Sequence, residues 1–358
     1  MKFALAGSGT GGHAYPALAV AERLRERVDT ELIYYGTASG PERALAEEQE
    51  IEYRVVPAAQ LRGRSPVRVS KGLWNLWRGS RTARSWLRED RPDAVFATGG
   101  YGAAPIGRAA RQQRIPLIVF LPDVKPGWAV KLLQRYASTV ACSVNGSLPY
   151  LRASKTVVTG YPVRRQFLEA TREEGIRRFG LAPEVQTLLI AGGSQGAHQI
   201  NLVIQEQLAK LLPRMQIIHV SGPAEFDWLD RERNRLPDWQ RDRYHLHAYT
   251  EEMAAAMAAA DLAVMRAGAS TLGELPAMGL PAILVPGGFS DQSVNASYLE
   301  ERGAARTVTT GTIDTLVDEI LSLLDDQERR EAMAEAMRGL VQDDAASRLA
   351  SLLREVGA

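Results

Sequence analysis

Short apolar runs alternate with amphipathic stretches along almost the whole chain. Strands are predicted over residues 2–6 (KFALA), 31–35 (ELIYY), 94–97 (AVFA) and 116–121 (PLIVFL). The same signal returns over 187–191 (TLLIA), 216–220 (QIIHV), 262–265 (LAVM) and 282–285 (AILV). Helical patterns lie between them, such as 16–28, where Leu18, Ala21, Leu24 and Val28 share one face. Strand and helix in alternation predict an α/β protein of doubly wound parallel sheets with helices on both faces. The pattern pauses at TVVTGYPVRRQF (156–167) and restarts with a second strand, glycine loop and helix from Leu188. Two domains are therefore expected, 1–163 and 164–340. The helical stretch from about 328 onward carries no further strand, and its last part, about 341–358, is expected to pack back on the first domain.

A chain of 358 residues suits two domains of about 150 residues each. Its 45% apolar and 24% charged residues fit a soluble globular protein. No segment reaches about 18 consecutive apolar residues, so no transmembrane helix is expected. MKFALAGSG has neither the basic start nor the long apolar core of a signal peptide, which predicts a cytoplasmic chain. The single Cys142 excludes an internal disulfide and agrees with that compartment. One cysteine and five scattered histidines suggest no metal-ligand cluster, and a net charge of +1 means that any basic surface must be local.

Two glycine loops occupy equivalent places, each between a strand and a helix. GSGTGGHAYP (7–16) follows the first strand, with Pro16 in the first turn of the helix, and GGSQG (192–196) follows strand 187–191. Glycines let backbone N–H groups approach a ligand, and a helix start favours negative charge, so a diphosphate is the natural guest. A tight turn without a ligand is the structural alternative. Gly7, Gly9 and Gly12 also fit G-x-G-x-x-G, but a dinucleotide site needs a carboxylate at the end of the second strand. The chain reads Tyr34-Tyr35-Gly36-Thr37 there. No Gly-Lys-Ser/Thr closes either loop, which excludes a P-loop. A third unit, MRAGASTLGELPAMGLPAILVP (265–286), repeats the design. Its Glu274, one turn beyond Ser270 and Thr271, either binds the two hydroxyls of a ribose or lies on a solvated helix face.

In this order and spacing the motifs resemble those of the MurG family of two-domain (GT-B) glycosyltransferases, over nearly the whole chain. Ser8–His13 (SGTGGH) is similar to the family's GGTGGH, with serine for one glycine. Leu61-Arg62-Gly63, Gly99-Gly100-Tyr101 and Gly160-Tyr161-Pro162-Val163-Arg164 are similar to its LRG, GGY and GNPVR. Gly192 to Ala197 (GGSQGA) matches unchanged. Arg266 to Ala269 through Glu274 resembles RSGA…T..E, and 291–296 (DQSVNA) resembles HQTxNA.

The resemblance implies two Rossmann-like domains facing a cleft. It also implies an inverting transferase that moves N-acetylglucosamine from UDP to the muramyl C4 hydroxyl of lipid I, giving lipid II for peptidoglycan. The N-terminal domain would serve acceptor and membrane, the C-terminal domain the UDP-sugar. By the same resemblance Ser194 and Gln195 contact UDP, Arg164 faces the nucleotide, and Glu274 takes the ribose hydroxyls. Backbone at Tyr249 and Thr250, with Met253 nearby, reads the uracil, and Gln292 reaches the sugar. Thr10, Gly11, Gly12, Arg266, Ala269, Thr271 and Asp291 complete the donor set, and Arg62, Gly100 and Tyr101 lie beside the acceptor. The UDP-sugar is a substrate, with no tightly bound cofactor and no metal implied.

Two departures keep alternatives open. Asp291 stands where the family has histidine or glutamine. Phe120-Leu121-Pro122-Asp123 stands where it has His-Glu-Gln-Asn beside the acceptor pocket, and altered polar groups there suit a different lipid acceptor, such as diacylglycerol or another polyprenyl lipid. A UDP-sugar epimerase and a non-catalytic sugar-nucleotide binder are more distant alternatives.

Glycosyl transfer needs the acceptor hydroxyl deprotonated as it attacks, and His13 suits a general base, with Asp123 as its rival. A structural hydrogen bond is the plain alternative for His13. The leaving UDP would be held by the GGSQGA helix start and local arginines. No Asp-x-Asp is present, so a metal-bridged diphosphate is not expected. Residues 61–91 carry nine Arg or Lys against Glu89 and Asp90. Leu73, Trp74 and Trp77 share a helical face there, and Arg78, Arg81, Arg84 and Arg88 supply charge. Such a segment suits peripheral docking on an anionic membrane, here the inner face of the cell membrane; a surface helix packed through its tryptophans on the domain core is the plain alternative, and the two can coexist. Trp86 and Trp128 are candidates for the same patch. Nothing matches a nucleic-acid motif, so no nucleic-acid partner is expected.

Overall fold

The computed structural model describes the whole chain except Thr10, 59–65, 194–195, 289–291 and Asp343, and only the backbone over 66–73. It consists of two compact units, Met1–Arg164 with Gln342–Ala358, and Arg165–Val341. The crossing between them falls one residue after the boundary read from sequence, so Arg164 lies with the first unit.

The first unit holds strands β1 (Lys2–Gly7), β2 (Glu31–Gly36), β3 (Glu52–Val55), β4 (Ala94–Gly99), β5 (Leu117–Leu121), β6 (Thr139–Cys142) and β7 (Thr156–Val158). They form one parallel sheet in the order β3-β2-β1-β4-β5-β6-β7. The second unit holds β8 (Thr187–Ala191), β9 (Gln216–Val220), β10 (Tyr244–His247), β11 (Leu262–Met265), β12 (Ala282–Leu284) and β13 (Ala305–Thr307). Its parallel order is β10-β9-β8-β11-β12-β13. The middle strands are buried at every position because helices cover both faces, which explains their unbroken apolar runs. In each sheet the order reverses, between β1 and β4 and between β8 and β11. Open α/β sheets bind ligands at such reversal points, beyond the carboxyl ends of the strands.

The first helix spans Gly11–Arg25, not 16–28. Leu18, Ala21 and Leu24 are buried as expected, but Val28 lies past the helix end and is fully exposed. The reason is tertiary: Arg354 donates to the carbonyls of Arg23 and Leu24 at 3.2 and 3.1 Å, satisfying the last turn. Arg354 belongs to the C-terminal helix Ala345–Gly357, which lays Ala346, Leu349, Ala350 and Leu353 on the first helix and β4. Burying each leucine contributes about 1.5–3 kcal/mol. The preceding helix, Gln327–Arg338, packs instead within the second unit on Thr271–Met278 and Leu316–Asp325.

The tryptophan-bearing segment forms one long helix, Pro66–Asp90. Gly79 is buried where this helix crosses the chain at Pro57, whose carbonyl a Cβ would overlap. Beyond that crossing Ala83 and Leu87 enter the core, and Arg54 lies 4.5 Å over the Trp86 ring. Trp86 is thereby a core-side residue and not part of an exposed patch. Trp74 and Trp77, before the crossing, are 58% and 43% exposed with rings stacked 5.0 Å apart. Among the described residues no helix is long and apolar enough to cross a membrane.

Candidate active site

At the reversal point of the first sheet, Gly7 pairs with Gly99 after a register shift, so the loops leaving β1 and β4 touch. Gly100 takes φ +75°, and a Cβ on it would overlap the Ser8 carbonyl. Ser8 is buried and its Oγ accepts the Gly102 N–H at 2.7 Å, so the serine that replaces a family glycine ties the two loops together. His13 sits in the first helical turn with its ring against Gly99. Its Nδ1 lies 2.9 Å from the Thr98 carbonyl oxygen. A carbonyl only accepts, so Nδ1 carries the hydrogen and, in the neutral ring, Nε2 keeps a lone pair. The Thr98 hydroxyl returns a bond to the His13 carbonyl, fixing the residue at ring and backbone. The structural hydrogen bond expected for this histidine is therefore present, and it selects the tautomer that a general base would require.

Aromatic rings frame the loop. Tyr101 lies over Gly9 (φ +98°), and Tyr15 packs on Gly11, with Gly12 following in the same helical turn. The Arg164 guanidinium stacks 4.1 Å above the Tyr15 ring centroid. Arg164 thus brings positive charge to the start of the first helix within its own unit.

In the second unit the loops after β8, β10, β11 and β12 lie along one edge of the sheet. Gly196 (φ +77°) fits against the Ser221 carbonyl, which also accepts the Asn201 amide at 3.0 Å. Asn201 in turn meets His219 Nε2 at 3.0 Å, and His219 Nδ1 meets the Tyr244 hydroxyl at 2.7 Å. Complete burial pushes the His219 imidazole down to about 3, so this network is neutral and supports the glycine loop from beneath. Past β11, Thr271 donates to the Gly268 carbonyl at 2.6 Å and Asn295 to that of Ala267 at 3.1 Å. Ala269 and Glu274 are buried at this turn, which removes the solvated-face reading of Glu274. Arg266 donates to the Val285 and Pro286 carbonyls, and the Gln292 Oε1 accepts the Gly287 N–H at 2.7 Å. Both side chains hold the loop after β12. Tyr249 is exposed, Thr250 accepts the Glu252 N–H at 3.0 Å, and Met253 starts the helix Met253–Ala259. The helical stretch after this glycine loop divides at Gln207 into His198–Glu206 and Leu208–Leu211.

Residues 3–142 match the glycosyltransferase family 28 N-terminal domain, and residues 187–349 match the glycosyltransferase family 28 C-terminal domain. The chain belongs to glycosyltransferase family 28. A relative from Roseiflexus sp. (strain RS-1) is 42% identical over 98% of this chain and 93% of its own length. It is named UDP-N-acetylglucosamine–N-acetylmuramyl-(pentapeptide) pyrophosphoryl-undecaprenol N-acetylglucosamine transferase. The crystal structure of Acinetobacter baumannii MurG is similar with a TM-score of 0.77, at 26% identity and 99% coverage of each chain. A UDP-GlcNAc 2-epimerase from Neisseria meningitidis shares the fold at 16% identity and a TM-score of 0.69, covering 99% of this chain and 100% of its own.

Against the family pattern, the departure at 120–123 changes meaning. Phe120 and Leu121 are core residues of β5, and Phe120 packs on Phe96 and Tyr161 with centroids 6.2 Å away in each case. Pro122 is buried as well, and only Asp123 is partly exposed, its backbone carbonyl accepting the Ser147 hydroxyl at 3.2 Å. The expectation that this stretch presents an altered acceptor surface is therefore corrected for its first three residues. Thr10, Arg62, Ser194, Gln195 and Asp291 lie outside the described residues, as does the Leu73 side chain. Sequence reasoning missed Thr98, Tyr15, Asn201, His219, Asn295 and Glu42. Only Asn295 carried a local signal, as the asparagine of DQSVNA. No group of three or more metal-ligating side chains occurs among the described residues.

Proposed function

We propose that this transferase moves N-acetylglucosamine from UDP to the muramyl C4 hydroxyl of lipid I, with inversion, to give lipid II. The observation that carries the reading is the 42% identity, over nearly full length, to a protein named for that reaction. In the mechanism His13 Nε2 takes the proton of the acceptor hydroxyl as its oxygen attacks the anomeric carbon, and the bond to UDP breaks on the opposite face. The Nδ1–H bond to Thr98 supports this role because it leaves the lone pair of the neutral ring on Nε2 and orients the ring. The second unit takes the donor, with the loop 192–197 and the start of its helix for the diphosphate and Glu274 for the ribose. Arg266 and Gln292 serve the donor by shaping the loop after β12. Burial of Phe120 and Leu121 removes these two positions as a motive for a different lipid acceptor. Acceptor binding falls to the first unit, beside Gly100 and Tyr101. Stacked Trp74 and Trp77, with Arg81 5.1 Å over the Trp77 ring and Arg78 exposed beside them, support peripheral docking on the anionic inner face of the cell membrane.

The deciding measurement is UDP release from UDP-N-acetylglucosamine with and without a soluble lipid I analogue. His13→Ala is expected to lower the acceptor-dependent rate by about 10²–10⁴-fold while UDP still binds. A wild-type protein that binds UDP but shows no acceptor-dependent release overturns the reading. Loss of activity in Asp123→Asn, with His13→Ala still active, would move the base to Asp123.

A further inference from the structure

Glu42 opens the short helix Glu42–Glu48 and has no exposed surface. A buried carboxylate is tolerated only where hydrogen bonds replace its lost hydration. Here Oε1 accepts the Thr37 N–H at 3.1 Å and the Thr37 hydroxyl at 2.7 Å, and Oε2 accepts the Gly9 N–H at 3.3 Å. Among the described residues no basic side chain pairs with it, so its partners are the loop after β2 and the glycine loop after β1. Gly36 and Gly40 make room for it, because a Cβ at either would run into its side chain. Neighbouring hydroxyls act in the same direction: Tyr34 donates to the Gly7 carbonyl and Tyr53 to the Thr37 carbonyl, each at 2.7 Å. A dinucleotide-binding domain would turn an acidic group from this region toward a ribose. This one is turned inward, and its full burial denies it to a ligand.

We propose that Glu42 is a positioning residue of the transfer reaction, holding Gly9 so that the loop leading into His13 keeps the shape the acceptor requires. The proposal rests on the reading of the first unit as the acceptor side.

Two variants separate positioning from mere stability. In Glu42→Gln the shape remains but only one oxygen accepts. Thr37 presents two donors and Gly9 one, so the amide oxygen turns to Thr37 and the NH₂ group opposes the Gly9 N–H. Thr37→Val removes a hydroxyl donor but leaves the bond to Gly9. Transfer kinetics, UDP binding and amide hydrogen exchange over residues 7–13 are measured on both variants and the wild type. Glu42→Gln is expected to lower acceptor-dependent kcat/KM on the order of 100-fold, with the donor KM unchanged and exchange over 7–13 accelerated. Thr37→Val should lose comparable thermal stability yet keep transfer and slow exchange. Equal activity in Glu42→Gln and wild type overturns the proposal, as do losses that follow melting temperature alike in both variants. Should wild type bind UDP without acceptor-dependent release, the functional reading fails separately. Exchange then decides the tie: acceleration confined to Glu42→Gln sustains it, and unchanged exchange overturns it.

Discussion

The loops after β1 and after β8 stand at the same place in their sheets, yet the space beside their glycines differs. In the first unit protein atoms fill it: a Cβ at Gly7 would overlap the Thr98 hydroxyl, one at Gly9 would meet Tyr101, and one at Gly11 would meet Tyr15. In the second unit Gly193 (φ +85°) and Gly268 have no described atom within 4 Å of a Cβ position. Glycine is needed in the first loop so that neighbouring side chains can close on the backbone beside His13. In the second, Gly192 and Gly196 close on Ala197 and the Ser221 carbonyl, and Gly193 alone leaves space beside the backbone, as an approaching diphosphate would require. One sequence solution, a glycine loop at a reversal point, thus serves internal packing throughout the first loop, and in the second both packing, at Gly192 and Gly196, and open space, at Gly193.

Paired glycine substitutions test this contrast most severely. Gly100→Ala combines a left-handed backbone with a clash on the Ser8 carbonyl and should destabilise the first unit by more than about 3 kcal/mol. Gly193→Ala carries backbone strain alone, about 1–3 kcal/mol, and should fold while binding UDP more weakly. Thermal unfolding and UDP calorimetry read both, and equal stability of the two variants would break the comparison.

The neutral network beneath the second loop gives an effect that depends on pH. Folding lowers the His219 value from 6.5 to about 3, so below pH 6.5 the unfolded chain binds the proton first. Its contribution is complete above pH 6.5 and falls by about 1.4 kcal/mol per pH unit toward pH 3. Burial lowers His245 and His247 as well, with the same sign. Urea unfolding at falling pH should show this slope, and His219→Gln should flatten it; an unchanged slope in the variant would remove His219 as its source. The smallest change in stability, within about 0.5 kcal/mol, is expected from Trp74→Ala with Trp77→Ala on the surface of the first unit. Binding to anionic vesicles should nevertheless fall sharply, and undiminished binding would reject the docking role.

Legibility in the sequence followed burial. The eight strands read from apolar runs are the well-covered ones, and each was placed to within two residues at either end. The five unread strands, β3, β6, β7, β10 and β13, are three or four residues long, and four of them lie at sheet edges. Segments such as EYRV and YHLH are half-solvated and too short to show a period. His13 was legible because its loop carries a motif. Its partner Thr98 lies 85 residues away and the Gly9 partner Glu42 lies 33 away, with nothing local to mark either. Trp86 and Trp74 share one helix and one composition, and only the crossing at Gly79 separates the half-buried ring from the exposed one.

By itself the sequence determined the α/β class, the two-unit organisation, the central strands and the glycine loops with a candidate base in one of them. These are local matters, written in the spacing of apolar residues and in motifs of a few positions. Tertiary structure alone decided which loops meet, which tautomer His13 holds, that Phe120 and Leu121 belong to the core, and that Glu42 turns inward to Gly9. Strand order joins distant segments, and a buried polar group finds its partners only once those segments have closed around it.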